Sequence, residues 1–594
     1  MSLAADALAD LPTWSLDDLY TGLHDPRLEA EAKGLAKDAA SFEADLAGRV
    51  VTLEPAALAE AVQRYEALEE RAGRLSSYAG LVFATDSTDA PTAKFYADMQ
   101  AGLTTLASKL LFFEHELNDI DDDTLDAAFA QSPALERYRP WLRRLRTFRP
   151  FRLDQDLERL SLERSQTGNA AWVRLFDQTT AAMRVCVDGQ DMTQVEAMDQ
   201  LSHPDRGARE AAAKGLAQQA ERQAPLFALI FNTLVKDKAI DDRWRGLQAP
   251  THARHLANDV DPEVVEALAT AVKDAYPRLS HRYYAWKGRA LGLEPLAYWD
   301  RLAPPPGEDN RIIPWGEARD VILDAFGGFS PQMADLGRRF FDQAWIDAPS
   351  RPGKAGGAFA HPTVPSAHPY ILLNYRGKAR DVMTLAHELG HGVHQILAGG
   401  QGLLLSQTPL TLAETASVFG EMLTFQALLE RETDPMRRRH LLAAKIEDKI
   451  STAVRQIAFY EFEKAVHDSA RGGELTPEDF NRLWRETQDA ALGPAIDLEG
   501  YDGFWALVPH FIHVPFYVYA YAFGEGLVNV LYDLYAESDP GFVDRYLRLL
   551  ADGGARRYDA ALEPFGLDAR DPAFWARGLD VIERMLNELE EQDG

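Results

Sequence analysis

The segment TLAHELGHGVHQIL, Thr384 to Leu397, sets three histidines and one glutamate among apolar residues. The pattern predicts a helix that starts around Asp381 and stops at Gly399 and Gly400. His387, Glu388 and His391 form H-E-x-x-H. On a helix, residues i and i+4 share a face, so both imidazoles can reach one ion. Glu388, rotated by about 100°, can address a water on that ion. Chance would produce such a pattern in roughly one chain of this size in thirty, so the motif needs its context. That context is apolar: Leu385, Ala386, Leu389, Val393, Ile396 and Leu397 flank the motif, and burying unpartnered imidazoles among them is costly. A metal removes that cost.

A catalytic zinc takes three protein ligands and keeps its fourth position open. His394 follows His391 too closely for the three-histidine pattern, which would want Gly at 394 and His where Leu397 stands. It is read as packing beside the ligands or supporting them. The stretch TLAETASVFGEML, Thr411 to Leu423, offers Glu414 on a helical segment opened after Pro409, and Glu421 two turns further along the same face. Either carboxylate can reach the ion. Glu414 is assigned as the third ligand and Glu421 as its support.

Composition narrows the function classes. The 594 residues are 46% hydrophobic and 26% charged, as in a globular protein of two or more domains. Lys plus Arg total 62 against 92 Asp plus Glu, and a net charge of -30 repels nucleic acid and anionic lipid. Cys186 is the only cysteine, which excludes an intramolecular disulfide and a cysteine metal site; it is expected to be a small buried residue. The opening MSLAADALADLPTW lacks the features of a secretory signal, so a cytoplasmic location is expected. Gly503 to Gly524 contains no Asp, Glu, Lys or Arg over 22 residues, long enough to span a bilayer. Its two prolines, two histidines and three tyrosines suit a polar-lined protein interior instead, so no membrane partner is expected.

Elsewhere the chain reads as helix. Leu35, Ala39, Phe42 and Leu46, then Leu58, Val62, Tyr65 and Leu68, recur at helical spacing. RVCVDGQ reads as a hairpin turning at Asp188 and Gly189, and the prolines between Leu302 and Trp315 read as a loop. Before the motif, GKAGGAFAHPTVPSAHPYILLNY, Gly353 to Tyr375, passes from glycine-rich loop to a short strand at YILLNY. The expected organisation is an N-terminal helical domain over 1–200 and a catalytic domain over 201–594.

HELGHGVHQ followed by AETASVFGE resembles the M3 family of zinc metallopeptidases, and most closely its oligoendopeptidase F branch. The resemblance extends to KAGGAF, YILLNY, PHFIHVPFYVYAYAFG and HPDRGAREAA, and so covers most of the chain. It implies a mainly α, prolate, multi-helix zincin-type body with a deep central channel and a small β element near the site. It implies one zinc per chain, held by His387, His391 and Glu414, and cleavage of internal bonds in short unstructured oligopeptides by a water that Glu388 activates. It supports His510, Tyr517 and Tyr521 as donors to the oxyanion that develops on the carbonyl. It also favours substrate contact by Gly356, Gly357, Ala358 and Phe359, whose backbone suits pairing with an extended peptide. Competing readings are a zinc carboxypeptidase, a non-catalytic peptide binder with a structural zinc, and a non-haem iron oxygenase.

Overall fold

Helices account for most of the chain, and their starts are written in short polar caps. Asp25 accepts the Arg27 N–H ahead of the helix Pro26–Leu46, and Asp89 accepts the Thr92 N–H ahead of Ala90–Asp119. The periodic residues of the first two helices face inward as expected: Leu35, Ala39, Phe42 and Leu46 on Pro26–Leu46, and Leu58, Val62, Tyr65 and Leu68 on Pro55–Thr85 are all buried. Phe42 meets Phe113 of Ala90–Asp119 edge to face at 5.0 Å, closing a three-helix core.

The computed structural model describes residues 11–165, 167–305 and 311–592. Residues 306–310 of the proline-rich loop lie outside these; the helix Trp315–Phe329 opens after Pro314. Among the described residues, no helix is long and apolar enough to cross a membrane.

The chain divides into two compact units, each built from three segments. One comprises Met1–Arg149, Asn310–Arg431 and Leu534–Gly566; the other Pro150–Asp309, Glu432–Asp533 and Leu567–Gly594. These are not the units 1–200 and 201–594 expected from the sequence. Helical periodicity marks which face of a helix is buried but not which distant helix covers it, so a chain that leaves a unit and returns to it escapes such a reading.

The second unit contains the hairpin Val185–Val187 with Gln190–Met192, turning at Asp188 (φ 49°) and Gly189 (φ 80°). Val185 and Val187 point inward, so the alternation of a strand turns Cys186 outward, and it is exposed rather than buried.

In the first unit the motif helix, Ala379–Gly399, packs along the helix Thr415–Arg431, and Leu385, Ala386, Leu389 and Val393 of the one and Ala416, Phe419 and Met422 of the other are all buried. Each large side chain of that set contributes about 1.5–3 kcal/mol by leaving water. The backbones come close at Gly390, where a Cβ would overlap the Ala416 carbonyl and stand 2.7 Å from Ser417 Cα. Neither neighbour is a flexible side chain that can swing away. Gly390→Ala is therefore expected to cost at least about 1–3 kcal/mol, read as a lowered midpoint in denaturant unfolding. An unchanged midpoint would contradict the close approach.

Candidate active site

The motif helix is started by Asp381, whose carboxylate accepts the N–H groups of Arg376 and Lys378, each at 2.9 Å. With the apolar face fixed against Thr415–Arg431, His387 and His391 emerge half-buried on the neighbouring face, their rings 4.9 Å apart. The chain returns through a short helix, Leu410–Ala413, which ends at Glu414 (φ -83°, ψ 0°) before Thr415–Arg431 begins. Glu414 thus sits at a break between helices, not within one as its sequence suggested. Its Oε2 lies 3.4 Å from Nε2 of both His387 and His391, and the three ligand atoms fall within 4.8 Å of one another. Ser417 Oγ donates to Glu414 Oε2 at 2.7 Å and orients it. Glu421 Oε2 is 3.2 Å from Nδ1 of His387, which fixes the ring with Nε2 toward Glu414. Geometry therefore puts Glu414 with the two imidazoles and Glu421 behind one of them.

His394 is buried, with Nε2 3.3 Å from the Thr408 hydroxyl. Burial, then His391, drives its pKa down to about 4, against a hydrogen bond to the Ala413 backbone, so it is neutral and ties down the turn that precedes Glu414.

Glu388 is 7% exposed. Burial raises its pKa; the imidazoles of His387 and His391 and the amide of Ala360 pull the other way. Ala360 belongs to the strand Phe359–His361, which pairs antiparallel with Tyr370–Leu372; that strand in turn pairs parallel with Ile346–Asp347. Of these strands only that in YILLNY was legible in the sequence, because it lies in a longer apolar run, Tyr370 to Leu373, whereas Phe359–His361 and Ile346–Asp347 do not. On its other edge Ala360 meets the motif helix: its carbonyl accepts Nε2 of Gln395 at 3.1 Å.

The glycine loop ahead of this strand is anchored from below. Lys354, its side chain wholly buried, donates to Asp347 Oδ1 at 2.6 Å and to the Leu373 carbonyl at 2.7 Å. Asn374 Nδ2 donates to the carbonyls of Ala355 (3.1 Å) and Gly357 (3.0 Å), and Gly357 takes φ 75°. Gly356 and Gly357 stay exposed, with Ala358 and Phe359 partly so. Sequence reasoning passed over Lys354, Asn374 and Gln395. For Lys354 and Asn374 the signal was a lone polar group in a run of glycine or apolar residues.

The charges suit a dication. Burial disfavours the charged forms of His387 and Glu414, yet the surroundings outweigh it. Hydrogen bonding to Glu421 and the charges of Glu414, Glu421 and Glu388 raise His387 to about 9. His391, His387 and Ser417 hold Glu414 at about 2. With the imidazoles neutral, the carboxylates of Glu414 and Glu421 leave surplus negative charge that one divalent ion would balance.

In the second unit, His510, Tyr517 and Tyr521 come together. His510 Nε2 lies 3.4 Å from Tyr521 Oη, and the Tyr517 ring is 6.4 Å from His510 and 5.3 Å from Tyr521. Burial, then Arg455 and His513, lowers the pKa of His510. Tyr517 lies outside the helices His510–His513 and Tyr519–Ala536 that flank it. Tyr519 points elsewhere: its Oη accepts from Asn258 Nδ2 at 2.8 Å and lies 3.1 Å from His255 Nδ1.

The chain matches the model of Peptidase family M3 over residues 330–581 and that of Oligopeptidase F over 116–184. Oligopeptidase PepF of Bacillus subtilis is 25% identical over 593 residues, covering 98% of this chain and 87% of that protein. The fold is that of solved structures from Chlamydophila abortus (TM-score 0.85, 21% identity, 98% of each chain) and of oligoendopeptidase-F from Enterococcus faecium (TM-score 0.71, 22% identity, 95% of this chain and 98% of that one). Since the M3 match embraces the H-E-x-x-H helix and Glu414, and the oligopeptidase F match lies ahead of it, the chain belongs to peptidase family M3, in its oligoendopeptidase F branch, and is a metallopeptidase that hydrolyses peptide bonds.

Proposed function

We propose that this peptidase is a zinc-dependent endopeptidase that cuts internal bonds of short, unstructured oligopeptides, with one zinc per chain held by His387, His391 and Glu414. The observation that carries the reading is the convergence of two imidazoles and a carboxylate beside a buried glutamate, Glu388. Zinc, when bound, supplies a Lewis acid that polarises the scissile carbonyl and acidifies water. Glu388, the one carboxylate of the motif outside the ligand trio, takes a proton from the attacking water and delivers it to the departing amine. Glu421 keeps His387 in the tautomer that presents Nε2. The exposed backbone of Gly356 and Gly357, continuing through Ala358 and Phe359, aligns an extended substrate, which favours peptides over folded proteins.

Mass spectrometry of peptides of about 5 to 20 residues with amidated C-termini tests this reading. Internal cuts that disappear with a chelator and return with zinc are expected, and a stable folded domain should survive. Trimming restricted to free C-termini would favour the carboxypeptidase reading instead.

The role of His510, Tyr517 and Tyr521 is donation to the carbonyl oxygen as it gains charge, supported by their clustering within one unit. Tyr521→Phe should lower kcat and kcat/KM together by roughly 10- to 1000-fold with little change in KM. Tyr519→Phe is the control, because its hydroxyl is engaged by Asn258 and His255. Steady-state kinetics on a quenched fluorescent peptide decides: a crippled Tyr519 variant beside a normal Tyr521 variant would reverse the assignment.

A further inference from the structure

Between the helices His510–His513 and Tyr519–Ala536 the chain turns through Phe516, whose φ of 58° lies in the left-handed region that bulky side chains avoid. Its neighbours over-determine that conformation. Glu463, fully buried on the helix Gln456–Ser469, accepts the Phe516 N–H at 2.9 Å. Arg254 Nε donates to the Pro515 carbonyl at 3.2 Å, so both polar groups of the Pro515–Phe516 peptide are held. The Phe516 ring is buried against His467 at 4.7 Å and Tyr460 at 6.1 Å. Tyr517 follows directly, ahead of the point where Asn258 and His255 secure Tyr519. Among the described residues Oε2 of Glu463 has no hydrogen-bond partner, so this backbone amide is the carboxyl group's one hydrogen-bonded contact.

We propose that Glu463, assisted by Arg254, is a positioning residue: it holds the Pro515–Phe516 turn and so sets where the phenols of Tyr517 and Tyr521 stand. The proposal rests on the reading above that these phenols act in catalysis. Burying a carboxyl group with a single hydrogen bond is unfavourable, which is hard to reconcile with a role in packing alone. Burial pushes Glu463 up to about 8, against weaker pulls from the Phe516 N–H and Arg254, so at pH 7 it is mainly the neutral acid. Glutamine reproduces that form.

The test uses the zinc-loaded enzyme and a quenched fluorescent peptide. Glu463→Gln should keep kcat within about twofold, whereas Glu463→Ala should lower it roughly tenfold or more with KM within about threefold and zinc content unchanged. In 3-fluorotyrosine-labelled protein, the ¹⁹F resonance assigned to Tyr517 should shift in Glu463→Ala and stay in place in Glu463→Gln. Arg254→Met, at a partly exposed position, should move kcat and the resonance in the same direction, and serves if Glu463→Ala does not fold. An unmoved resonance and full kcat in Glu463→Ala, or in Arg254→Met where the alanine variant does not fold, overturn the proposal if Tyr517→Phe and Tyr521→Phe are impaired. If both tyrosine variants keep full kcat, the catalytic reading itself falls and takes the proposal with it.

Discussion

Glu388→Gln is expected to yield a folded protein with the parental metal content and a kcat lower by about 10²- to 10⁴-fold, the range that a positioned general base supplies. The substitution is isosteric. The amide oxygen can still accept the Ala360 N–H, and the ligand trio is untouched, but an amide cannot take the proton of the attacking water. Because burial disfavours the Glu388 charge, the variant should melt no lower than the parent. Elemental analysis and calorimetry beside the kinetics separate loss of the base from loss of the site. Near-normal turnover in a metal-replete variant would remove Glu388 from the mechanism.

Glu414→Ala should act on the metal itself. It deletes the carboxylate that stands 3.4 Å from both imidazoles and leaves His387 and His391 as a two-ligand site. Removing groups that only support ligands typically weakens binding about 10- to 100-fold, so loss of a ligand should exceed about 100-fold, while Glu421→Ala should fall within the lower range. Competition with a chromophoric chelator measures both. Tight binding retained by Glu414→Ala and lost by Glu421→Ala would exchange their roles. Activity of the alanine variant should recover only as added zinc approaches the weakened dissociation constant.

The parts of the site that were legible in sequence are those fixed by local periodicity. His387, Glu388 and His391 announce their common helix through spacing alone. What stayed hidden depends on contacts between distant segments. Glu414 occupies a break between helices because Ser417 and the packing of Thr415–Arg431 hold it there, and no period of 3.6 encodes a break. Lys354 reaches Asp347 and Leu373 across a sheet whose partner strands are too short to read. Cys186 was assigned by its usual preference for burial, but the strand's alternation overrode that preference. Phe516 offered no warning, since a bulky residue in a left-handed turn is dictated by Glu463 and its neighbours and not by its own propensity. The two three-segment units follow the same logic: each is closed by chain that returns from far along the sequence.

The glycine contact between the motif helix and Thr415–Arg431 bears on when the ligands become organised. Gly390 precedes His391 directly, and the atoms it meets belong to Ala416 and Ser417, two and three residues beyond Glu414. The separation between imidazole and carboxylate is thus set by backbone against backbone. In small zinc domains the metal supplies the order and its removal unfolds the chain. On the proposed reading, the entropy of gathering the ligands is lost when the two helices dock, and metal exchange is expected to be a local event that leaves the helices docked.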